Sequence, residues 1–290
     1  MYKKKLMMIF AAGLFTLAAN AQLTEATGFQ NPESIVACGK NMYVSNLGAM
    51  LDPSAKDGDG YISLVQRADG KVVEQRFITG LNSPKGMKLC GNKLAIADVD
   101  RLVVYNVKTK KKLWEVDLSK TGTNYANDIV HVCGGYLITS TDKNAVYKVC
   151  RSGKVKQLKV KGDLPGANGI AKGCCKLFVA NYGRGTNPDG NFGKLNRCNK
   201  KFKVLGSGGI YDGIVKMGHR LILSDWGSTT ESQGQLIVYN LCKKKMVALS
   251  LGRTINGPAD IYADCKTKLL WIPAMRENKI VAISFKAIKQ

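Results

Sequence analysis

The chain has 290 residues, and its 44 Lys and Arg side chains outnumber 21 Asp and Glu, which gives a formal net charge of +23. This length suffices for one large domain or two small ones, and no Pro-rich, Ser-rich or low-complexity linker divides the chain. Beyond the amino terminus no stretch is apolar enough to cross a bilayer, so we expect no transmembrane segment in the mature chain.

The amino terminus predicts export. Residues 1–21 carry three lysines, then an apolar run, then the small residues Ala19 and Ala21, which is the order of a secretory signal peptide. The apolar run is shorter than the roughly 18 residues that favour a membrane span. We therefore predict a signal peptide at 1–21, a single mature domain at 22–290, and a periplasmic or secreted protein.

A short phrase then recurs six times, at intervals of roughly 40 to 50 residues, which is the range of propeller repeats. In each copy an anchor residue is followed by a small or polar residue and an aliphatic one, and a β-rich run such as LFVAN ends further along. The six copies are Glu33-Ser34-Ile35, Lys85-Gly86-Met87, Asn127-Asp128-Ile129, Asn168-Gly169-Ile170, Asp212-Gly213-Ile214 and Ala259-Asp260-Ile261.

Such a period, built from short strands without helical periodicity, is typical of a β-propeller with one blade per repeat. After the sixth copy the chain is long enough for only three strands, the third at residues 279–285. We expect residues 22–29 to supply the outer strand of the last blade, which leaves no open gap in the ring. The prediction is an all-β fold: a six-bladed β-propeller with four antiparallel strands per blade, closed by the N-terminal strand.

The anchors should ring one end of the central channel, which we call the top. Antiparallel topology puts the start of each innermost strand at that end, together with the loops between second and third strands. The ring members are Glu33, Lys85, Asn127, Asn168, Asp212 and, in the sixth blade, Ala259 or Asp260. Carboxylate and amide oxygens suit calcium or magnesium and suit a thiophilic metal poorly.

These motifs carry a family resemblance. NPESI around Glu33, NDI at Asn127, NGI at Asn168, and DGI at Asp212 followed by SDWG resemble the senescence marker protein/gluconolactonase family of six-bladed propellers. The resemblance implies that Glu33, Asn168 and Asp212 bind a divalent metal, commonly calcium, and that Asn127 helps to bind substrate. The corresponding reaction is metal-dependent hydrolysis of a lactone or small ester, with Asp212 accepting a proton from water.

Lys85 departs from this pattern, because an ammonium group in the ring would oppose a divalent cation. Three interpretations follow. In a metal site, Lys85 turns away from the ring, towards an acid such as Asp98. In a structural ring, it pairs with Glu33 or Asp212 in a salt-bridge network. In the third, Lys85 contacts an anion or the substrate.

All nine cysteines fall at turns of the opposite face, which we call the bottom, and export favours disulfides among them. We predict the pairs Cys175–Cys198 and Cys133–Cys150, with Cys174 as the competitor for Cys198. The same turns are rich in lysine, as in KTKKK and CKKK, and His131 and His219 also fall there, so we build no catalytic triad from them.

Two functions of different class remain. One is a metal-dependent hydrolase of lactones or small esters, working at the top of the channel with calcium as the expected metal. The other is a non-catalytic binding propeller that engages a protein partner or an anionic surface through its basic bottom face. Nucleic acid is not an expected partner of an exported chain that lacks an aromatic stacking platform.

Overall fold

A computed structural model describes residues 23–185 and 188–288 of the chain. The predicted signal peptide lies outside the described residues. Within those ranges the regular secondary structure is almost wholly β, and a four-residue helix α1 (Phe285–Ile288) and two short 3-10 turns are the exceptions. No helix of the described part is long and apolar enough to span a membrane.

Twenty-four strands form six four-stranded antiparallel sheets. Blade one contains β2 (Pro32–Cys38), β3 (Asn41–Asn46), β4 (Gly60–Gln66) and β5 (Val72–Leu81). Blade two contains β6 (Pro84–Cys90), β7 (Lys93–Asp98), β8 (Arg101–Asn106) and β9 (Lys112–Asp117). Blade three contains β10 (Ala126–Val132), β11 (Gly135–Ser140), β12 (Ala145–Val149) and β13 (Val155–Gln157).

The remaining blades repeat this order. Blade four contains β14 (Ala167–Lys172), β15 (Lys176–Asn181), β16 (Gly190–Asn196) and β17 (Phe202–Gly209). Blade five contains β18 (Tyr211–Met217), β19 (Arg220–Asp225), β20 (Gln235–Asn240) and β21 (Lys245–Leu249). Blade six contains β22 (Tyr262–Asp264), β23 (Leu269–Ala274), β24 (Lys279–Ser284) and, as its outer strand, β1 (Thr24–Thr27).

The ring closes as the sequence predicts. β1 pairs antiparallel with β24, from Thr24 opposite Ala282 to Thr27 opposite Lys279. Glu25 in β1 also pairs with Lys279 at 2.9 Å and with Arg253 at 2.7 Å. The first and last strands of the described residues therefore share one blade, and the prediction of six blades closed by the N-terminal strand is confirmed.

Apolar side chains fill the spaces between neighbouring blades. Leu102 and Val104 of blade two, for example, pack in one buried cluster with Ile129 and Ile138 of blade three. Each strand contributes alternate residues to the clusters on its two faces, because successive side chains in a strand point to opposite sides. Burial of each such aliphatic side chain stabilises the fold by about 1.5–3 kcal/mol, so the blades are held mainly by face-to-face packing.

The innermost strands carry a bulge at the same place in five blades. The pairing register of the first two strands shifts between Pro32 and Ile35, and equivalent shifts occur in β6, β10, β14 and β18. A bulge bends a strand and redirects its side chains. The two residues inside each shift are the anchor and its successor, so the bulge is the local structure that presents the anchors to the channel.

Hydroxyl groups of the second strands hold these bulges. The Gly213 amide donates to Ser224 Oγ at 2.7 Å, and Ser224 Oγ donates in turn to the Ala259 carbonyl of the next blade at 2.7 Å. Thr139 does the same in blade three, where it accepts from the Asp128 amide at 2.9 Å. One hydroxyl thus satisfies a bulge amide that the sheet leaves unpaired and joins two blades.

Candidate functional site at the top of the channel

The five bulged anchors and the acid of the sixth blade are all buried. Glu33, Lys85, Asn127, Asn168 and Asp212 are each less than 5% exposed. Asp260, which precedes β22, is also buried and its Oδ2 accepts a hydrogen bond from Ser34 at 2.6 Å. The five predicted polar anchors therefore lie at the start of the innermost strands, whereas Asp260 lines the lower part of the channel with Asp128.

Close approach of the innermost strands depends on glycines that follow the anchors, for example those in blades four and five. A Cβ at Gly169 would lie 2.3 Å from the Asp212 carbonyl oxygen, and one at Gly213 would lie 2.6 Å from the Ile261 amide. Such contacts are shorter than any real Cβ makes. Glycine at these positions lets blades four, five and six bring their anchors together.

Four anchors carry a buried side-chain oxygen without a hydrogen-bond partner. These atoms are Glu33 Oε2, Asn127 Oδ1, Asn168 Oδ1 and Asp212 Oδ1. A buried polar atom left unpaired costs about 1–3 kcal/mol. Four such oxygens, on the innermost strands of blades one, three, four and five, form an acceptor set that lacks a donor, and a bound cation would satisfy it.

The two carboxylates of this set repel each other. Burial, followed by the nearby charges of Asp212 and Asp260, raises the pKa of Glu33 well above its usual range. Burial raises the pKa of Asp212 to about 7, although a hydrogen bond from Trp226 partly opposes that rise. A divalent ion beside these groups would favour their charged forms and reverse both shifts.

Aromatic side chains form the wall above the ring. Trp226, which follows β19 in the SDWG motif, donates its Nε1–H to Asp212 Oδ2 at 3.0 Å. Tyr182 packs edge-on against the Trp226 ring at 5.8 Å, and the Arg276 guanidinium lies 5.1 Å from the centre of that ring. Trp226 therefore orients one oxygen of Asp212 and leaves Oδ1 as the oxygen without a partner.

Lys85 turns away from the acids of the ring. Its Nζ donates to the Ser83 carbonyl at 2.9 Å and lies 4.8 Å from the centre of the Tyr125 ring. In the described part of the chain it forms no salt bridge with Glu33 or Asp212. Burial lowers the pKa of Lys85 to about 8, and the negative charge of Glu33 opposes that fall.

The prediction that Lys85 turns towards Asp98 was wrong. Asp98 binds Arg101 at 2.7 Å and accepts the amides of Asn82 and Ser83 at 3.0 and 2.9 Å, so its oxygens are already used. This arrangement follows from the position of Asp98, which ends β7 and holds the loop that precedes β6. Lys85 instead uses a carbonyl and an aromatic face, which both interact favourably with a cation.

The ring opens into a cavity of about 200 Å³, which we call the top cavity. Its walls include Glu33, Lys85, Asn127 and Asp212 from the ring, and Asn168 lies outside its lining. The other lining residues are Leu47, Leu51, Pro53, Tyr125, Tyr182, Trp226, Met275 and Arg276. The cavity has room for an ion and a small organic group, and its walls are mainly apolar above a polar floor.

The aromatic wall of the site was not predicted from the sequence. Trp226 lies within the quoted motif SDWG and Tyr125 lies two residues before the motif NDI, but Tyr182, Met275 and Arg276 stand in loops without a recurring motif. Among the described residues no group of three or more His, Cys, Asp or Glu side chains is placed to bind a metal. The candidate donor set consists of two carboxylates and two amides, a mixture that hard cations accept.

The bottom face carries the histidines and the cysteines, as predicted. His131 lines the lower part of the channel, and His219 lies in the exposed turn between β18 and β19. All nine cysteines are free thiols, so neither Cys175–Cys198 nor Cys133–Cys150 is formed in this structure. Cys133 lines a groove together with Cys174, Cys175 and Cys198 rather than with Cys150, because its turn faces blade four.

Comparison with known proteins defines the class of fold. No family model matches the chain, and no curated protein matches it. A solved structure of a protein of unknown function from Bacteroides thetaiotaomicron matches with a TM-score of 0.63 at 14% identity, over 91% of this chain and 76% of that one. These findings leave the gluconolactonase resemblance as a prediction.

Two further solved structures are similar in fold. Virginiamycin B lyase from Staphylococcus aureus matches with a TM-score of 0.60 at 12% identity, over 91% of this chain and 99% of that one. A chain of a nidogen/laminin complex matches with a TM-score of 0.54 at 18% identity, over 74% of this chain and 79% of that one. The chain is a six-bladed β-propeller, and its fold is similar to that of an enzyme and to that of one chain of a protein complex.

Proposed function

We propose that the chain is an exported, metal-dependent hydrolase of lactones or small esters that works in the top cavity, with calcium as the metal. One observation carries the proposal: Glu33, Asn127, Asn168 and Asp212 each hold a buried oxygen without a donor, on the innermost strands of blades one, three, four and five. Glu33, Asn168 and Asp212 would hold the ion. When bound, such an ion supplies a positive charge that polarises a carbonyl and acidifies water.

The residues of the chain have distinct parts in this proposal. Asp212 is the candidate base, because Trp226 fixes its Oδ2 and Oδ1 has no partner. Asn127 donates through Nδ2 to Thr141 at 3.3 Å, which leaves its Oδ1 to bind a substrate hydroxyl or water. Tyr182 and Trp226 exclude water from one side of the reacting group.

Lys85 is a substrate contact in this proposal. It lines the top cavity, and no carboxylate of the ring neutralises it. Its ammonium group can therefore stabilise negative charge that develops on an ester or lactone oxygen. Glu33, Asn168 and Asp212 would hold the ion, and Lys85 would contact the substrate from the same cavity.

Lyase chemistry of the kind named for the structural neighbour has less support. One structure of that lyase is described as a catalytically inactive His-to-Ala variant in complex with quinupristin. Both histidines of the present chain, His131 and His219, lie on the bottom face. The top cavity therefore holds no histidine that could act as a proton carrier.

The test begins with metal binding. Calcium should raise the melting temperature of the full chain, because a ligand of the native state stabilises it by mass action. Asp212→Asn should abolish that rise. Asp225→Asn is the matched control, since Asp225 is a buried acid of the same blade whose Oδ1 accepts only backbone amides, from Ile210 and Gly227.

Activity is then measured on aliphatic lactones and aryl acetates with calcium and with a chelator. We expect calcium-dependent hydrolysis that falls by at least about a hundredfold in Asp212→Asn, the usual scale for loss of a catalytic base. Calcium titrations that leave the melting curves of the wild type and of Asp225→Asn unmoved would refute the metal site and with it this function.

A second candidate function has its own observation. Lys110, Lys200, Lys244 and Lys268, all in bottom turns, have positive φ values of 53° to 61°. Glycine or asparagine is favoured there, and a left-handed conformation costs other residues about 1–2 kcal/mol. Lysine at four such positions is consistent with a bottom face that binds an anionic surface. Sedimentation with anionic but not zwitterionic vesicles, reversed by salt, would support that interaction.

A further inference from the structure

A cavity larger than the top cavity lies on the bottom face, between blades three and four. It measures about 660 Å³ and is open to solvent. Turns of both blades build it, so it is distinct from the top cavity and the proposed reaction does not use it. We call it the thiol groove, because four cysteines line it: Cys133, Cys174, Cys175 and Cys198.

All four thiols are accessible. Each of these cysteines is free and exposed. Cys174 and Cys175 are consecutive in the turn between β14 and β15, and their Sγ atoms are 3.9 Å apart. A disulfide usually joins Cα atoms about 4.4–6.8 Å apart, whereas consecutive Cα atoms are only about 3.8 Å apart. A bond within this pair would be strained, so both sulfurs remain available to an external partner.

The charge around the thiols has one sign. Five cationic side chains line the groove, and its lining contains no Asp or Glu. The cations are Lys148, Lys156, Lys159, Arg197 and Lys200. Blade three supplies three of them and blade four supplies two. A concave site lined by one sign of charge concentrates ligands of the opposite sign and accelerates their arrival.

The floor of the groove is apolar. Val132, Leu137, Leu177 and Leu195 line it, and each is buried by the strands on either side. An inorganic anion would leave that floor uncovered. The combined lining of thiols, cations and aliphatic side chains fits an organic anion with an apolar body and a sulfur atom that reacts with thiols.

We propose that the thiol groove is a thiol–disulfide exchange site for a small organic anion that carries a disulfide. The thiolate sulfur of Cys174 or Cys175 attacks one sulfur of the ligand, the disulfide bond of the ligand breaks, and its other half leaves as a thiolate. A mixed disulfide then joins the ligand to the chain. The attacking sulfur is oxidised and the departing sulfur is reduced.

A second groove thiol completes the exchange. Its thiolate attacks the protein sulfur of the mixed disulfide and releases the second half of the ligand as another thiolate. Two protein thiols thereby become one disulfide and two protons, and one ligand disulfide becomes two thiolates. Cys198 is the resolving thiol that the predicted Cys175–Cys198 pair implies, and this bridge would be a product of the exchange.

The test compares two probes on the reduced full chain. Dithiobis-nitrobenzoate is an aromatic disulfide with two carboxylates, and dithiodipyridine is an uncharged aromatic disulfide. Stopped-flow absorbance gives the rate constant for thiol release by each probe. We expect a fast phase with the anionic probe that is lost in the double variant Cys174→Ser/Cys175→Ser. The fast phase should persist in Cys38→Ser/Cys265→Ser, which removes two exposed thiols of blades one and six.

Charge is tested separately. Lys156→Glu/Lys159→Glu should slow the anionic probe by roughly tenfold or more, within the range of electrostatic steering, and should leave the uncharged probe nearly unchanged. Peptide mapping should then find a disulfide between two groove cysteines. Uniform reaction of all nine thiols, a fast phase that survives Cys174→Ser/Cys175→Ser, or equal slowing of both probes would each overturn the proposal. Calcium-dependent stabilisation, measured on the same variants, reports on the top cavity and separates the two sites.

Discussion

The position of the Lys85 side chain distinguishes between the interpretations of the top cavity. The sequence showed an ammonium group in a ring of acids, and pairing with those acids was one reasonable interpretation. The structure instead gives it a carbonyl at 2.9 Å and the face of Tyr125. The direction of a long side chain depends on which neighbours surround it in three dimensions, and these come from blades one and three as well as two. Sequence spacing alone could not supply that information.

Replacement of Lys85 by Met tests its effect on the metal. Because the ammonium group repels a divalent ion across a poorly solvated cavity, Lys85→Met should tighten calcium binding by about tenfold or more. Isothermal titration calorimetry measures the change, with Lys40→Met in an exposed turn as the control. Equal calcium affinities in wild type and Lys85→Met would show that no cation binds near this residue.

The pH dependence of stability offers an independent test of Lys85. Its pKa in the fold is about 8, below its ordinary value of 10.5, so the folded chain binds this proton less firmly than the unfolded chain. Burial of the charged Lys85 side chain lowers the stability of the fold. This loss is complete below pH 8 and disappears as the pH rises to about 10.5, so the stability of the calcium-free protein should rise over that window.

Lys85→Met lacks this group and should lose that part of the rise. The difference between wild-type and variant stability should change by about 3 kcal/mol across the window, from 1.36 kcal/mol per pH unit. Chemical denaturation at several pH values gives the two curves. Parallel curves for wild type and Lys85→Met would mean that the lysine titrates normally.

At the scale of the strand, the bulge explains why the repeat phrase exists. Repeats of short strands were sufficient to predict all six blades, because strand length and turn residues are local properties of the sequence. The register shifts were not predicted, since a bulge depends on how two strands pair. The hydroxyls that hold the bulges were visible only as the Ser and Thr in MYVSN, LITS and LILSD.

Ser224→Ala tests the bulge of blade five. The change leaves the Gly213 amide and the Ala259 carbonyl without their shared partner, both buried, and should destabilise the protein by roughly 2 kcal/mol. It should also weaken calcium binding, because Asp212 is part of the same bulge. Urea denaturation and calorimetry measure the two effects. Ser54→Ala, at an exposed loop serine bonded to Asp52, should leave both unchanged.

At the scale of the molecule, β1 is the closing element of the ring. Deletion of residues 1–27 would remove it and leave β24 as an open edge with unpaired backbone groups. We expect a melting temperature lower by roughly 10 °C, which corresponds to several kcal/mol for a chain of this size, together with a tendency to aggregate. Deletion of residues 1–21 alone should leave the melting temperature of the propeller unchanged. A 1–27 deletion as stable as the 1–21 deletion would show that β1 is dispensable.

The pairing of β1 with β24 also sets the order of events when the chain is made. β1 lies near one end of the described residues and its partner β24 near the other, so the sixth blade stays incomplete until both strands have left the ribosome. Contacts between such distant segments form slowly, since a long loop must close before they contribute. Under the proposed export, a ring that closes late keeps the chain unfolded for longer, and the unfolded form is the one that can be threaded through a narrow pore.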